Sequence, residues 1–270
     1  MSSKRVLVIS DTHCGHVAGL TPTAWQLRPT KGTLTKHNKW AKLQRELWAR
    51  FTGLVEQLAP IDYMFHIGDC IDGDGYRSGG TEQITTDREE QADIAASVCN
   101  HVRLHARRGF KIVGVYGTAS HTGPAEDFEN IVADRSGWEK IGSHEWVDIN
   151  GCVFDLKHHL GSSGIPHGRH TASAKEHLWS QLWSERGLTP KANVILRGHV
   201  HYHQFCGGPD WLSMTMPALQ GMGSKYGARR CNGLVDWGVT HFDVGKDGSI
   251  EDWHAHCTTI KSQVTQAIKL

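Results

Sequence analysis

The sequence predicts an α/β protein. Short apolar runs that end abruptly in glycine and polar residues alternate along the chain with segments whose apolar residues recur every three or four positions, as strands and helices sharing a sheet require. The clearest run alternates through Ile61, Tyr63, Phe65 and Ile67 and stops at Gly68-Asp69, so a buried strand delivers a carboxylate to its carboxyl end. That is where α/β sheets place their ligands. The 19 histidines, several of them at such strand ends, exceed what packing needs, and neutral histidine is the commonest metal ligand.

Length and composition set the outer bounds. At 270 residues the chain is long enough to cover both faces of a sheet, and a single domain over 1–270 is expected, with long loops at about 14–36, 73–86, 161–170 and 221–233. No apolar run approaches a membrane span, and Val6-Leu7-Val8-Ile9 is too short for a signal-peptide core, so a cytoplasmic location is expected. The net charge of +1 advertises neither a nucleic-acid nor a membrane partner. Seven scattered cysteines without a Cys-x-x-Cys pair read as reduced thiols filling the core. Trp40, Trp48, Trp179 and Trp183 stand at helical spacing and are expected in the core or between helix and sheet.

In chain order, Arg5 to Ser10 is a first strand delivering Asp11-Thr12-His13, whose carboxylate and imidazole share a face because they lie two residues apart. Cys14 to Lys36, rich in glycine and proline, reads as a long surface loop. From His37 to Ala59 the spacing of Trp40, Leu43, Leu47, Phe51, Leu54 and Leu58 predicts an amphipathic helix stopped by Pro60. The strand ending in Gly68-Asp69 follows, then a glycine-rich rim from Asp72 to Gly80. A second helix is expected from an Asp87 cap to Arg108, with Ile94, Val98, Val102 and His105 on one face and Gly109 closing it.

Phe110 to Tyr116 is a third strand ending in Gly117-Thr118-Ala119-Ser120-His121, and Pro124 opens a short helix to about Arg135. The Asn150-Gly151 turn marks a hairpin whose second strand delivers His158-His159. Gly161 to His170 reads as a loop beside the active site, and Thr171 to Arg186 as a helix. Asn193 to Leu196 is a short buried strand ending in Arg197-Gly198-His199-Val200-His201, and Trp211 to Leu270 reads as antiparallel sheet. Asp11, His13, Asp69, His158, His199 and His201 thus leave separate strand ends. If those strands share an edge, the six donors are too many for one ion that takes about four ligands, and two ions are implied.

These pieces resemble the calcineurin-like metallophosphoesterase superfamily: Asp11-Thr12-His13, Gly68-Asp69-Cys70-Ile71-Asp72 for Gly-Asp-x-x-Asp, His158 after a strand, and Gly198-His199-Val200-His201 for Gly-His-x-His. The resemblance implies a four-layer α/β/β/α sandwich of two mixed sheets flanked by helices. It implies two divalent ions, manganese before iron, zinc, nickel or magnesium, with Asp69 bridging them. Asp11, His13 and His201 would complete one site, and His158 and His199 would help form the other. His159 is the alternative to His158. Asp72 is read either as a partner of a ligand histidine or as a turn cap. The third motif departs from the family: no asparagine follows Gly117, so Ser120-His121 is read in the place of Asn-His after a two-residue insertion, with His121 either contacting the phosphate or leaving group or itself binding metal.

The implied activity is hydrolysis of a small or nucleotide-like phosphodiester or phosphomonoester by a hydroxide held between the ions. A nuclease on short or single strands is one alternative, and a non-catalytic binding module with a degenerate metal site is another. Phosphate charge is expected to meet His167, Arg169 and His170 on one loop and Lys225, Arg229 and Arg230 on another, and Tyr76 and Trp25 are candidates to stack a base. Oligomeric state is open.

Overall fold

Strand β1 (Lys4–Ile9) is buried on both faces, with Leu7 and Ile9 on one side and Val6 and Val8 on the other. A strand so placed needs a layer against each face. In the computed structural model, which describes residues 2–31, 35–124, 127–161, 163–222, 235–264 and 267–268, both layers are present.

β1 pairs in parallel with β2 (Ile61–His66), β2 with β3 (Ala106–Val115), and β3 with β4 (Lys140–Gly142); β10 (Trp237–Val244) runs antiparallel to β1, and β11 (Ile250–Thr258) antiparallel to β10. Helices α1 (Thr35–Leu58), α2 (Arg88–Arg103) and α4 (Glu129–Ser136) cover the outer face of this sheet. Leu43, Leu47, Phe51, Ile94, Val98 and Val132 pack there on Leu7, Ile9, Met64 and Ile112.

The second sheet has the order β5 (Glu145–Ile149), β6 (Cys152–Lys157), β7 (Val194–Arg197), β9 (Leu212–Thr215), β8 (Gln204–Gly207), with β6, β7 and β9 parallel. Its inner face meets the first sheet through Phe154, whose ring lies edge-on to Phe65 and to Phe242, each at 5.4 Å. Helix α5 (Arg169–Glu185) lies on its outer face, where the Ser213 hydroxyl donates to the Ser173 carbonyl. The architecture is α/β, two mixed sheets flanked by helices, as the motifs imply.

Several local expectations are corrected. Helix α2 keeps its Asp87 cap, the side chain accepting from the Glu89 amide, but ends at Arg103. Gly109 falls inside β3, and His105 leaves the helix, because Ala106 already pairs with Ile61 and a register shift before Tyr63 absorbs the extra residues. The segment from Cys14 to Pro22 is buried, not a surface loop: Leu20 donates its amide to Thr12 and Gln44 of α1 caps the Val17 carbonyl. The helix expected from Pro124 to about Arg135 starts only at Glu129, as α4, and a four-residue helix, α3 (Ala119–Thr122), precedes Pro124. Helix α5 begins at Arg169, two residues early. In the C-terminal part, β9 is parallel to β7 and β8 lies before Trp211, since a parallel partner leaves no local signature in alternation. Trp40 is buried, but Trp179 and Trp183 are exposed on α5. Among the described cysteines, Cys14, Cys70, Cys99 and Cys152 are buried free thiols, as expected of core filling, while Cys206 is half-buried and Cys257 exposed.

Arg197, fully buried at the end of β7, ties the outer layers of the second sheet together. It donates Nη1 to Asp155 Oδ1 at 2.7 Å and Nε to Glu176 Oε2 of α5 at 2.8 Å, while Lys157 also reaches Glu176 and His144 reaches Asp155. Burial alone would raise both carboxyls. The His144 bond and the Arg197 charge outweigh it at Asp155, as Arg197 and Lys157 do at Glu176, and both groups sit below their ordinary values of 3.8 and 4.5. Their contribution to stability is therefore complete above about pH 4.5 and lost as pH falls through the folded values. Arg197→Met leaves Asp155 with only His144 and Glu176 with only Lys157, and is expected to cost about 3–5 kcal/mol in urea denaturation at pH 7. It is also expected to flatten the loss of stability on acidification, because both carboxyls then rise towards their ordinary values.

Candidate metal centre

Every strand-end donor read from the sequence lies at the same edge of the sandwich. Asp11 and His13 follow β1, Asp69 follows β2, His158 follows β6, and His199 and His201 follow β7. The two loops of the first sheet run side by side, with the Asp11 amide on the Gly68 carbonyl and the His13 amide on the Asp69 carbonyl, each at 3.0 Å. The turns are sharp enough to force left-handed backbone on the donors themselves: φ is 51° at Asp11, 43° at His13, 53° at Asp69, 74° at His199 and 55° at His201. Among the described residues the only other non-glycine at positive φ is the hairpin's Asn150. Such conformations cost about 1–3 kcal/mol each and concentrate at functional sites. Gly198 is required by close approach, since a Cβ there would sit 2.5 Å from Ser10 Oγ and 2.9 Å from His158 Nδ1.

The donors form linked triads, each with its atoms within 4.8 Å of one another: Asp11, His13 and His201; His13, Asp69 and His121; and Asp69, His158 and His199. Asp69 Oδ2 lies 3.1 Å from His158 Nε2 and 3.8 Å from His13 Nε2, and Asp11 Oδ1 lies 3.1 Å from His201 Nε2. The outer nitrogens are already committed. His13 Nδ1 donates to Asp72 Oδ1 at 2.8 Å, and His158 Nδ1 donates to the Ile67 carbonyl at 2.6 Å. These bonds occupy the outer nitrogen of each ring and turn Nε2 inward as the atom a cation would take, and the Nε2 atoms of His13 and His201 face each other at 3.3 Å. Such a set fits cations: nitrogen and oxygen donors, converging, with outer hydrogen bonds in place.

The electrostatics agree. Burial disfavours the Asp69 carboxylate, but positive charge at His158, and then at His13, outweighs it and holds the group well below the usual carboxylate range. Burial would lower His158, yet Asp69 pushes it up to about 10. His199 is pulled down to about 4 by burial and by the charge on His158.

Thr118 and Glu129 escaped the sequence reading. The Thr118 amide donates to Asp69 Oδ1 at 2.6 Å, and its hydroxyl lies 3.4 Å from Asp69 Oδ2, 3.3 Å from His158 Nε2 and 3.2 Å from His199 Nδ1. Ser120, expected in the asparagine's place, is exposed on the next turn, and it is Thr118, directly after Gly117, that makes these contacts. Glu129, buried at the start of α4, accepts from the amides of Cys70 and Gly117 at 2.6 and 2.7 Å and clasps the loops after β2 and β3; burial, then the nearby Asp69, pushes it up to about 7. Only the position of Thr118 directly after Gly117 could have signalled it; nothing local marked Glu129.

His121 lies at the cluster's rim, its Nδ1 on the Asp72 carbonyl at 2.8 Å and its ring 4.7 Å from that of His13. Asp72, besides holding His13, accepts from Gln83. His159 is exposed and rests against His199, ring centroids 4.6 Å apart, outside the triads. Arg169 and His170 are in the first turn of α5: the guanidinium covers the Tyr202 ring at 4.2 Å and His170 bonds the Phe205 carbonyl. His167 is exposed just before that helix. Lys225, Arg229 and Arg230 lie outside the described residues. Trp25 is half-buried, with part of its ring packed on the core, whereas Tyr76 is exposed. A hollow of about 380 Å³ adjoins the cluster, lined by Tyr116, Thr118, Ser143, Lys157, His158 and His159.

The sequence matches no family model and no curated protein. Similar solved structures include an archaeal phosphodiesterase (12% identity, TM-score 0.45, covering 94% of this chain and 99% of the other). They also include vacuolar protein sorting 29 from Cryptosporidium parvum (11%, 0.46, 96% and 98%) and YfcE, a phosphoesterase from E. coli (13%, 0.41, 93% and 98%).

Asp72→Ala frees the His13 ring and is expected to weaken divalent-ion binding about 10–100-fold in calorimetric titration. Thr118→Val, which removes the hydroxyl facing His158 and His199, is expected to weaken divalent-ion binding in the same titration, and Thr118→Asn to strengthen it.

Proposed function

We propose that the chain is a metal-dependent phosphoester hydrolase of the calcineurin-like metallophosphoesterase type, a single domain acting in the cytoplasm. The observation that carries this reading is the sharing of Asp69 between donor triads, with His158 and His199 on one side and His13 on the other. Asp11, His13 and His201 would hold one ion and His158 and His199 the other, with Asp69 shared between them and manganese the first candidate. Two divalent ions held there would supply charge neutralisation at the phosphoryl oxygens and a water acidified towards neutral pH.

The chain's own residues supply the rest. Asp72 and the Ile67 carbonyl keep the ligand imidazoles in their binding tautomers. Thr118 orients the Asp69 carboxylate through its amide. His121, its Nδ1 engaged by the Asp72 carbonyl, has Nε2 left to donate to a departing alkoxide when the ring is protonated. The hollow beside Thr118 and His158 is at the lower end of the usual ligand-pocket range, which favours a small or nucleotide-like phosphoester over a long duplex. The Thr118 hydroxyl, a weaker donor than an amide oxygen, favours a second reading in which the second ion binds poorly and the fold serves as a binding module.

Metal analysis joined to turnover of an aryl phosphodiester and the matching monoester separates the two readings. The hydrolase is expected to lose turnover with EDTA and regain it with Mn²⁺; two bound ions without turnover would favour neither, and absence of both ions and turnover would favour the module. His121→Ala is expected to leave metal content unchanged and lower kcat by about 10²–10⁴-fold for alkyl leaving groups, and much less for nitrophenolate, which needs no proton. Loss of an ion in that variant would make His121 a ligand instead.

A further inference from the structure

Helix α5 turns to solvent the kind of surface that proteins bury. Leu178, Trp179, Leu182 and Trp183 occupy one side of successive turns and remain 59%, 58%, 46% and 51% exposed. Its sheet-facing side is instead polar: Glu176 bonds Arg197, Ser173 accepts from Ser213, and His177 stacks on Trp211 with centroids 3.7 Å apart. A helix over a sheet ordinarily has the opposite polarity. Leu188, exposed and tied by its amide to the Trp183 carbonyl, extends the patch beyond the helix end. Among the described residues nothing covers it.

We propose that this face is a two-fold interface with a second copy of the chain, the two α5 helices packing antiparallel. Area is the first argument. With large apolar side chains presenting on the order of 200 Å² when bare, the exposed parts of these five residues amount to roughly 500 Å² per copy, the apolar centre of the ~800 Å² each partner buries in a stable complex.

Charge is the second argument. Lys175 and Glu185 are exposed, adjoin the stripe three residues before Leu178 and three after Leu182, and among the described residues have no ion-pair partner. They lie five residues either side of Ser180. Antiparallel pairing centred there sets Lys175 of each copy level with Glu185 of the other, so the face is complementary to itself, as a two-fold interface requires.

Shape is the third. The same register brings Trp183 of the second copy level with His177, within the stretch of α5 whose Ala172, Lys175, Glu176 and Trp179 line, together with Leu160, a hollow of about 380 Å³.

Sedimentation equilibrium of the full chain from about 1 to 100 µM tests the proposal, the span over which a micromolar Kd shows. A concentration-dependent dimer is expected, abolished by Trp179→Glu with Trp183→Glu while circular dichroism is unchanged. Lys175→Glu and Glu185→Lys are each expected to raise Kd roughly tenfold, and the double exchange to restore it. A chain that stays monomeric at the highest concentration overturns the proposal, even if its patch captures a lipid or another protein. So does a dimer indifferent to the two tryptophan substitutions, or one that the double exchange fails to rescue.

Discussion

The arrangement depends on one buried carboxylate. Asp69 sits between the His158 imidazole on one side and that of His13 on the other, with its remaining oxygen on the Thr118 amide. A carboxylate without solvent is tolerable only when positive charge or donors surround it. Each neighbour comes from a different strand end, so the charge balance of this one group requires the two sheets to stay in register. Cations held in the triads would meet the same requirement.

That requirement explains the backbone. Five candidate donors accept left-handed φ values that L-residues avoid, and Gly198 is bare because Ser10 and His158 come too close for a Cβ. The rest of the fold holds this geometry in place. Glu129 clasps the loops after β2 and β3, Gln91 grips the backbone at Asp72 and Gly73, and the ladder between the loops after β1 and β2 keeps Asp11 and Asp69 adjacent. The strain is local, and the layers that over-determine it are the packed faces of two sheets.

Beneath the His199 loop the logic is repeated in another form. Arg197 precedes Gly198 and is fixed by Asp155 on the neighbouring strand and Glu176 on α5, so the outer helix is anchored to the loop that presents His199 and His201. Because this anchorage is ionic, the inner side of α5 is polar and its apolar residues face outward. The exposed tryptophans are thus a consequence of how the second sheet holds its helix.

By itself the sequence determined the strand ends and what they carry. Asp11, His13, Asp69, His158, His199 and His201 were legible because short apolar runs stopping at glycine or paired polar residues are local patterns, and the α/β class follows from the same alternation. Only the tertiary structure decided what depends on contacts between distant segments. It put Thr118 rather than Ser120 against Asp69, brought Glu129 to the loops from 59 residues away from Cys70, buried the segment after Cys14 under α1, and paired β9 in parallel with β7. It also set the polarity of α5: helical spacing shows that Trp179 and Trp183 share a side with Leu178 and Leu182, but which side meets the sheet was fixed by Arg197, a residue outside the helix.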